Sequence, residues 1–239
     1  MKCVWIATLL FSSSINANAL SPEEYFGESY HESVAFYKKN LVHFKQYFNA
    51  FGINSDLAIS VVFPEIIRYN RFRDFAETTA LELAYVTGGS TVADFSIGRF
   101  QMKPSFIENL EAEIEKSSQL KLKFAKIVTY KANCTELERR KDRVARLKQP
   151  NWQSLYLACF ITIANERFKR EINSNPSEQL MILSSAYNLG LTASYPDLAK
   201  VSQQKTFPYG SLSMGRFSYF DVANYFYQNQ TLKTQNKPL

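Results

Sequence analysis

Ser55-Asp56-Leu57-Ala58-Ile59-Ser60-Val61-Val62-Phe63-Pro64-Glu65-Ile66-Ile67-Arg68-Tyr69 is the stretch from which the rest of the chain is best read. A serine or aspartate at its start is a helix cap, because the side chain can accept from the free amides of the first turn. A strongly apolar stretch then follows from Leu57 to Tyr69. Pro64 has no N–H to donate, so it either kinks that helix or splits it. One carboxylate, Glu65, stands in that stretch, with positions 61, 62, 66 and 69 around it on a helical surface. Desolvation disfavours the charged form of a carboxyl group and raises its pKa, which is what a general acid needs at neutral pH. The plainer alternative is a surface glutamate paired with Arg68.

Outward from this segment the apolar spacing stays helical. Phe26, Tyr30, Val34, Tyr37, Leu41, Phe44 and Phe48 recur every three or four residues and predict one helix over 23–49. A third helix covers 75–86 and stops at Gly88-Gly89. Residues 87–103 have no sustained period and read as a loop. Pro104 opens a long charged stretch to 148, with Phe106, Leu110, Ile114, Leu122 and Ile127 at its apolar positions, and Pro150 ends it. Residues 152–172 are apolar enough to run through a core. Asn175 before Pro176 is a cap followed by a first-turn proline, starting a helix through 187 that Gly190 terminates. A polar, turn-rich passage, a short aromatic helix at 219–227 and a polar tail complete the chain. Strand signals are few, and no repeat, low-complexity tract or linker divides it. The expected fold class is all-α, or mostly α, in one domain.

Two more segments carry polar groups suited to a ligand. In Asp94-Phe95-Ser96-Ile97-Gly98-Arg99-Phe100-Gln101-Met102-Lys103-Pro104, the glycine lets backbone approach a ligand, and the Gln101 amide can both donate and accept. The same segment also reads as a plain turn before a helix. In Ser184-Ser185-Ala186-Tyr187-Asn188-Leu189-Gly190, a tyrosine hydroxyl and an asparagine amide stand at a helix end, where an ordinary glycine cap would also account for them. Glu77 and Glu82 compete with Glu65 for a catalytic role, but they lie with Asp74 on a more polar helix.

Taken together and in this order, the three segments resemble the lytic transglycosylases and the goose-type lysozyme branch of the lysozyme-like superfamily. There a helix carries the catalytic glutamate, a Gly-Leu-Met-Gln-hydrophobic-x-Pro loop follows, and a later helix ends in Ala-Tyr-Asn-x-Gly. The resemblance covers roughly residues 53–192 and implies a lysozyme-like helical domain over 20–239, with an N-terminal helical extension and an inserted charged helical segment. It implies a peptidoglycan lytic transglycosylase that cuts between N-acetylmuramic acid and N-acetylglucosamine, leaving a 1,6-anhydro end. Glu65 would be the acid and then the base, and Tyr187 would orient it. Gln101 and Asn188 would bind N-acetyl groups or backbone, Gly98, Phe100 and Met102 would complete the substrate site, and Phe100 or Phe95 would stack on sugar faces. No metal or organic cofactor is implied. This chain departs from the family pattern in having Ile66 where serine usually follows the glutamate, and Arg99 where leucine is usual. Glu65 and Gln101 are also farther apart than usual, with an extra helix between them. A hydrolytic muramidase would need a second carboxylate, for which Asp94 is the candidate; otherwise Asp94 is a loop residue that bonds nearby backbone. A wall-binding protein without turnover is a further alternative.

Export fits this reading. Residues 1–19 have the anatomy of a signal peptide: Lys2, a short apolar run from Val4 to Phe11, and Ala17-Asn18-Ala19 as a cleavage site. The expected mature chain begins at Leu20, carries no lipid at Cys3, contains no membrane span and resides in the periplasm or cell envelope. Of the three cysteines, Cys134 and Cys159 remain after cleavage, either bonded to each other or free. The net charge of +6 suits an anionic wall polymer without singling one out. Arg139, Arg140, Lys141 and Arg143 alternate with acids, as on a solvated helix face, which points away from nucleic acid.

Overall fold

Ser21 accepts from the amide of Glu24, and the Glu24 carboxylate reaches back to Ser21, a reciprocal cap that starts α1 (Pro22–Phe26). Gly27, at φ +51°, ends it, and α2 (Glu28–Asn49) follows. The single helix expected over 23–49 is thus broken, because apolar spacing continues across the glycine while the backbone turns. The computed structural model describes residues 20–71, 78–172, 175–208 and 216–235. Residues 1–19, expected to be a signal peptide, lie outside these, as do Asp74 and Glu77. Among the described residues the chain is all-α, with twelve helices and two isolated β-bridges. After α2 come α3 (Ser55–Arg71), α4 (Thr78–Gly88), α5 (Pro104–Glu115), α6 (Ser118–Val128), α7 (Glu136–Leu147) and α8 (Pro150–Arg167). The remaining helices are α9 (Lys169–Ile172), α10 (Pro176–Leu189), α11 (Tyr195–Ser202) and α12 (Tyr219–Gln235). None of the described helices is long and apolar enough to cross a membrane.

The central element is α3. Ala58, Ile59, Val61, Val62, Phe63, Ile66 and Ile67 are all fully buried, and the helix packs against α2, α8, α10 and α12. Its cap is Asn54, whose side chain accepts from the amide of Leu57, rather than Ser55 or Asp56. Asp56 instead accepts from the Tyr37 hydroxyl at 2.6 Å, tying α3 to α2. Phe63 stacks on Phe226 of α12, with ring centroids 3.7 Å apart. Pro64 lies within α3 and does not split it, since packing on all sides compensates for one missing backbone bond.

The charged stretch 104–148 is three helices, interrupted at 116–117 and again at 129–135. Pro104 and Pro150 each occupy the first turn of a helix, so Pro150 opens α8 as much as it closes what precedes it. Asn175 caps α10 through the Ser177 amide, and Gly190 ends that helix. Helix α11 was not expected from the sequence; its signal is the Ser194-to-Asp197 reciprocal cap with Pro196 between. The last helix extends to Gln235, beyond the aromatic residues that mark its start.

One buried polar cluster corrects the reading of the basic residues near 140. Arg143 is 5% exposed, and its guanidinium donates to both oxygens of Glu111 on α5, at 2.7–3.2 Å. It also reaches the Tyr85 hydroxyl on α4 and Glu136 on its own helix. Arg146, equally buried, donates to the carbonyls of Ile127 and Thr129 and lies between the rings of Tyr130 and Trp152. These two arginines clamp α7 to its neighbours and do not belong to a solvated face. Cys134 and Cys159 are both free thiols, the latter buried.

Candidate functional site

The loop between α4 and α5 ends in a small hairpin. Ile97 and Met102 exchange backbone hydrogen bonds at 2.9 and 3.2 Å, and the Gln101 amide donates to the Gly98 carbonyl. Both Gly98 (φ +73°) and Gln101 (φ +49°) are left-handed. A Cβ on Gly98 would fall 1.7 Å from the Gln153 side-chain nitrogen and 2.8 Å from the Leu147 carbonyl oxygen, so this position is closed to other residues. The glycine therefore admits a neighbouring side chain of the protein itself, and not a ligand. Gln153, 2% exposed on α8, accepts from the Phe100 amide at 2.9 Å and donates to the Leu147 carbonyl at 2.6 Å. It pins the hairpin from behind. The sequence signal for it was a polar amide inside the apolar run of α8.

This hairpin, α3 and the end of α10 border one groove of about 1360 Å³, which continues between α5, α6 and α8. Glu65, Asp94, Gln101, Met102, Tyr187 and Asn188 all line it, although they are spread over more than half the chain. Gly98 and Phe100 do not. Phe100 is 2% exposed and packs towards Phe44 of α2, so its ring is turned into the core and offers no face to a sugar. Phe95 is likewise outside the groove wall, and the aromatic residues on that wall are Phe106 and Tyr187.

Glu65 is 7% exposed. Burial pushes its pKa up to about 7, against the opposing pull of Arg68 and, more weakly, Lys103. Arg68, one helical turn further along α3 and about one-third exposed, places Nη1 3.4 Å from Glu65 Oε2. This arginine is the charge partner expected for a surface glutamate, yet here the pair sits on a groove wall with the carboxylate buried. Next in the chain, Ile66 is fully buried and faces the core, so it does not stand in for a polar site residue.

Two other carboxylates singled out in the sequence, Asp94 and Glu82, have structural partners. Asp94 accepts from the Ser105 amide at 3.0 Å and the Ser105 hydroxyl at 2.8 Å, so it caps the first turn of α5, and Lys103 lies 3.7 Å away. Glu82 pairs with Lys148 at 2.7 Å and does not line the groove. The Tyr187 hydroxyl donates to the Phe100 carbonyl at 2.7 Å, while its ring packs on Phe106 and Phe160. Burial, with the nearby Glu65 charge, raises its pKa well above the usual tyrosine value, which keeps the hydroxyl a donor. Tyr187 therefore orders the hairpin directly, and it lies close enough to Glu65 for the two to interact electrostatically. Among the described residues, no group of three or more His, Cys, Asp or Glu side chains is placed to hold a metal ion. In comparisons with known proteins, no family model, no curated protein and no solved structure matches this chain.

Proposed function

We propose that this chain is an exported peptidoglycan lytic transglycosylase with a lysozyme-like site, in which Glu65 is general acid and then general base. The observation that carries the proposal is Glu65 itself, a carboxyl group 7% exposed with a pKa of about 7, on the wall of a groove of about 1360 Å³. Such a group holds its proton through part of the neutral range and can still release it, as cleavage of a glycosidic bond requires. Protonated Glu65 donates to the bridging oxygen as the C1–O bond breaks and positive charge develops on the muramoyl ring. The departing N-acetylglucosamine keeps that proton as its C4 hydroxyl. The muramoyl C6 oxygen then bonds to C1, its proton returns to the Glu65 carboxylate, and a 1,6-anhydro end results.

The state of Asp94 favours this one-carboxylate route over hydrolysis. A muramidase would need a second carboxylate to hold water or stabilise the cation, and Asp94 is already committed to Ser105 and Lys103. Gln101 and Asn188 supply amides for N-acetyl groups, with Phe106 and Tyr187 as aromatic neighbours, whereas the Met102 side chain, 1% exposed, is committed to the core and offers no apolar surface to a sugar. Lys103, Lys116 and Lys123 on the same wall suit a strand that bears carboxylates. Mass spectrometry of the products from purified sacculi tests the reading. Anhydro-muropeptides support it, reducing ends replace it with the muramidase, and no release of muropeptides replaces it with a wall-binding protein.

A further inference from the structure

A buried glutamate in an apolar pocket has a simple tendency, which is to keep its proton. The reaction proposed for Glu65 asks for more, because the same group must exist for part of each cycle as a carboxylate. The groups around it differ in what they contribute. From the hairpin side come the neutral amide of Gln101 and the ammonium of Lys103, whose Nζ is 3.7 Å from Asp94. From α10 come Tyr187, held as a neutral donor to the Phe100 carbonyl, and Asn188. Glu166 and Arg167 of α8 belong to the same wall, with the guanidinium of Arg167 donating to the Thr192 carbonyl. On α3 itself stands Arg68, and among the described side chains it alone makes an ion pair with Glu65, at 3.4 Å.

We infer that Arg68 is the positioning residue of this site: its guanidinium holds the Glu65 side chain in one orientation and supplies the charge that lets a buried carboxylate persist once the proton has been given up. The inference rests on the acid–base role proposed for Glu65. Two features of the geometry and one of the chemistry support it. The spacing is i to i+3 on a rigid, fully packed helix, so the two side chains meet without any rearrangement. Arg68 borders the groove, so an incoming sugar meets both members of the pair. A guanidinium also stays charged at every pH at which the enzyme could work, whereas a buried lysine can lose its proton. At 3.4 Å the contact is long for a charge-assisted hydrogen bond, which leaves the carboxylate stabilised but not neutralised.

The test is a carbon-13 carboxyl titration of the full chain as wild type, Arg68→Met and Arg68→Lys, with Glu65→Gln identifying the signal. It is paired with pH profiles of sacculus digestion. In Arg68→Met the Glu65 titration should move upward by about one pH unit, a roughly tenfold gain in proton affinity. Arg68→Lys should bring it most of the way back. The alkaline limb of kcat/KM should move in the same direction, while kcat falls because the group is a weaker acid. A titration that coincides in wild type and Arg68→Met overturns the inference, whatever the activity. A shifted titration supports it even if wild-type protein releases no product, in which case only the functional reading is lost.

Discussion

Glu65 and Glu111 are buried to nearly the same degree, 7% and 9% exposed, yet the protein treats them in opposite ways. Glu111 receives the Arg143 guanidinium on both oxygens, and the Tyr130 hydroxyl donates to it as well. Around it Tyr85, Glu108 and Glu136 complete a network joining α4, α5 and α7. Glu65 has one long contact, to Arg68, among the described side chains. Burial alone therefore does not make an acid. A buried charge that is fully paired is a staple, whereas one left short of partners beside open space keeps free energy available for chemistry.

The largest expected effect tests the Glu65 half of this comparison. Glu65→Gln keeps the shape packed by Val61, Val62 and Ile66 but cannot cycle protons, so strand cleavage should fall by at least about two to four orders of magnitude. Its stability should change with the opposite sign from that of a broken salt bridge. The folded-state pKa of about 7 lies above the ordinary glutamate value, so the folded protein binds this proton more tightly than the unfolded chain does. Glu65 thus favours folding at low pH, and that contribution is lost as pH rises towards and through 7. The stability of Glu65→Gln relative to wild type, read by thermal denaturation, should increase from pH 5 to pH 8, with a limit on the order of 3 kcal/mol. A flat difference would mean that Glu65 is satisfied as Glu111 is.

Arg143→Met tests the other half. Removing one member of a buried pair leaves Glu111 uncompensated and should cost about 3–5 kcal/mol, read by urea or thermal denaturation. At temperatures where the variant is folded, cleavage should continue, because Arg143 lies outside the groove wall. Loss of cleavage by well-folded Arg143→Met would break the separation between staple and site.

The two clusters also differ in how much of them the sequence reveals. Glu65 is legible because its surroundings are its own helical neighbours, and helix periodicity shows which side chains those are. The cap at Asn175 and the first-turn proline at Pro104 are legible for the same local reason. Arg143 is not, because its burial depends on α5 arriving with Glu111, and alternating charge on α7 looks identical whether the partner is water or another helix. Gly98 and Phe100 fail in a related way. A glycine loop shows that something approaches closely, but only the fold shows that it is Gln153. Gly27 shows the converse, a backbone break hidden inside an unbroken apolar pattern.

Tyrosine sharpens the contrast further. Tyr130 donates to its buried carboxylate, whereas Tyr187, beside Glu65, donates to the Phe100 carbonyl. Tyr187→Phe should therefore cost about 1–3 kcal/mol of stability by leaving that carbonyl without its donor. Cleavage should drop by roughly tenfold as the hairpin loosens, with the Glu65 titration little changed. A large movement of that titration in Tyr187→Phe would mean that the tyrosine acts on the carboxylate directly.

The smallest effect is expected at Asp94, the partly buried carboxylate that separates the two cleavage chemistries. Asp94→Asn retains an oxygen that can accept from the Ser105 amide, so the start of α5 keeps its cap and loses only charge. The contact with Lys103 is half-exposed and long, and breaking it should cost well under about 1 kcal/mol. Freed from Asp94, Lys103 should lower the Glu65 pKa slightly, since it already acts in that direction. In a one-carboxylate mechanism these changes amount to a few-fold loss of cleavage at most, with anhydro ends still the product and the alkaline limb moved slightly towards lower pH. A hydrolase would respond differently, because the group that holds its water or stabilises its cation would have lost its charge. Near-complete loss of cleavage in Asp94→Asn, together with reducing ends from the wild type, would place Asp94 beside Glu65 as a working carboxylate and not beside Glu111 as a structural one.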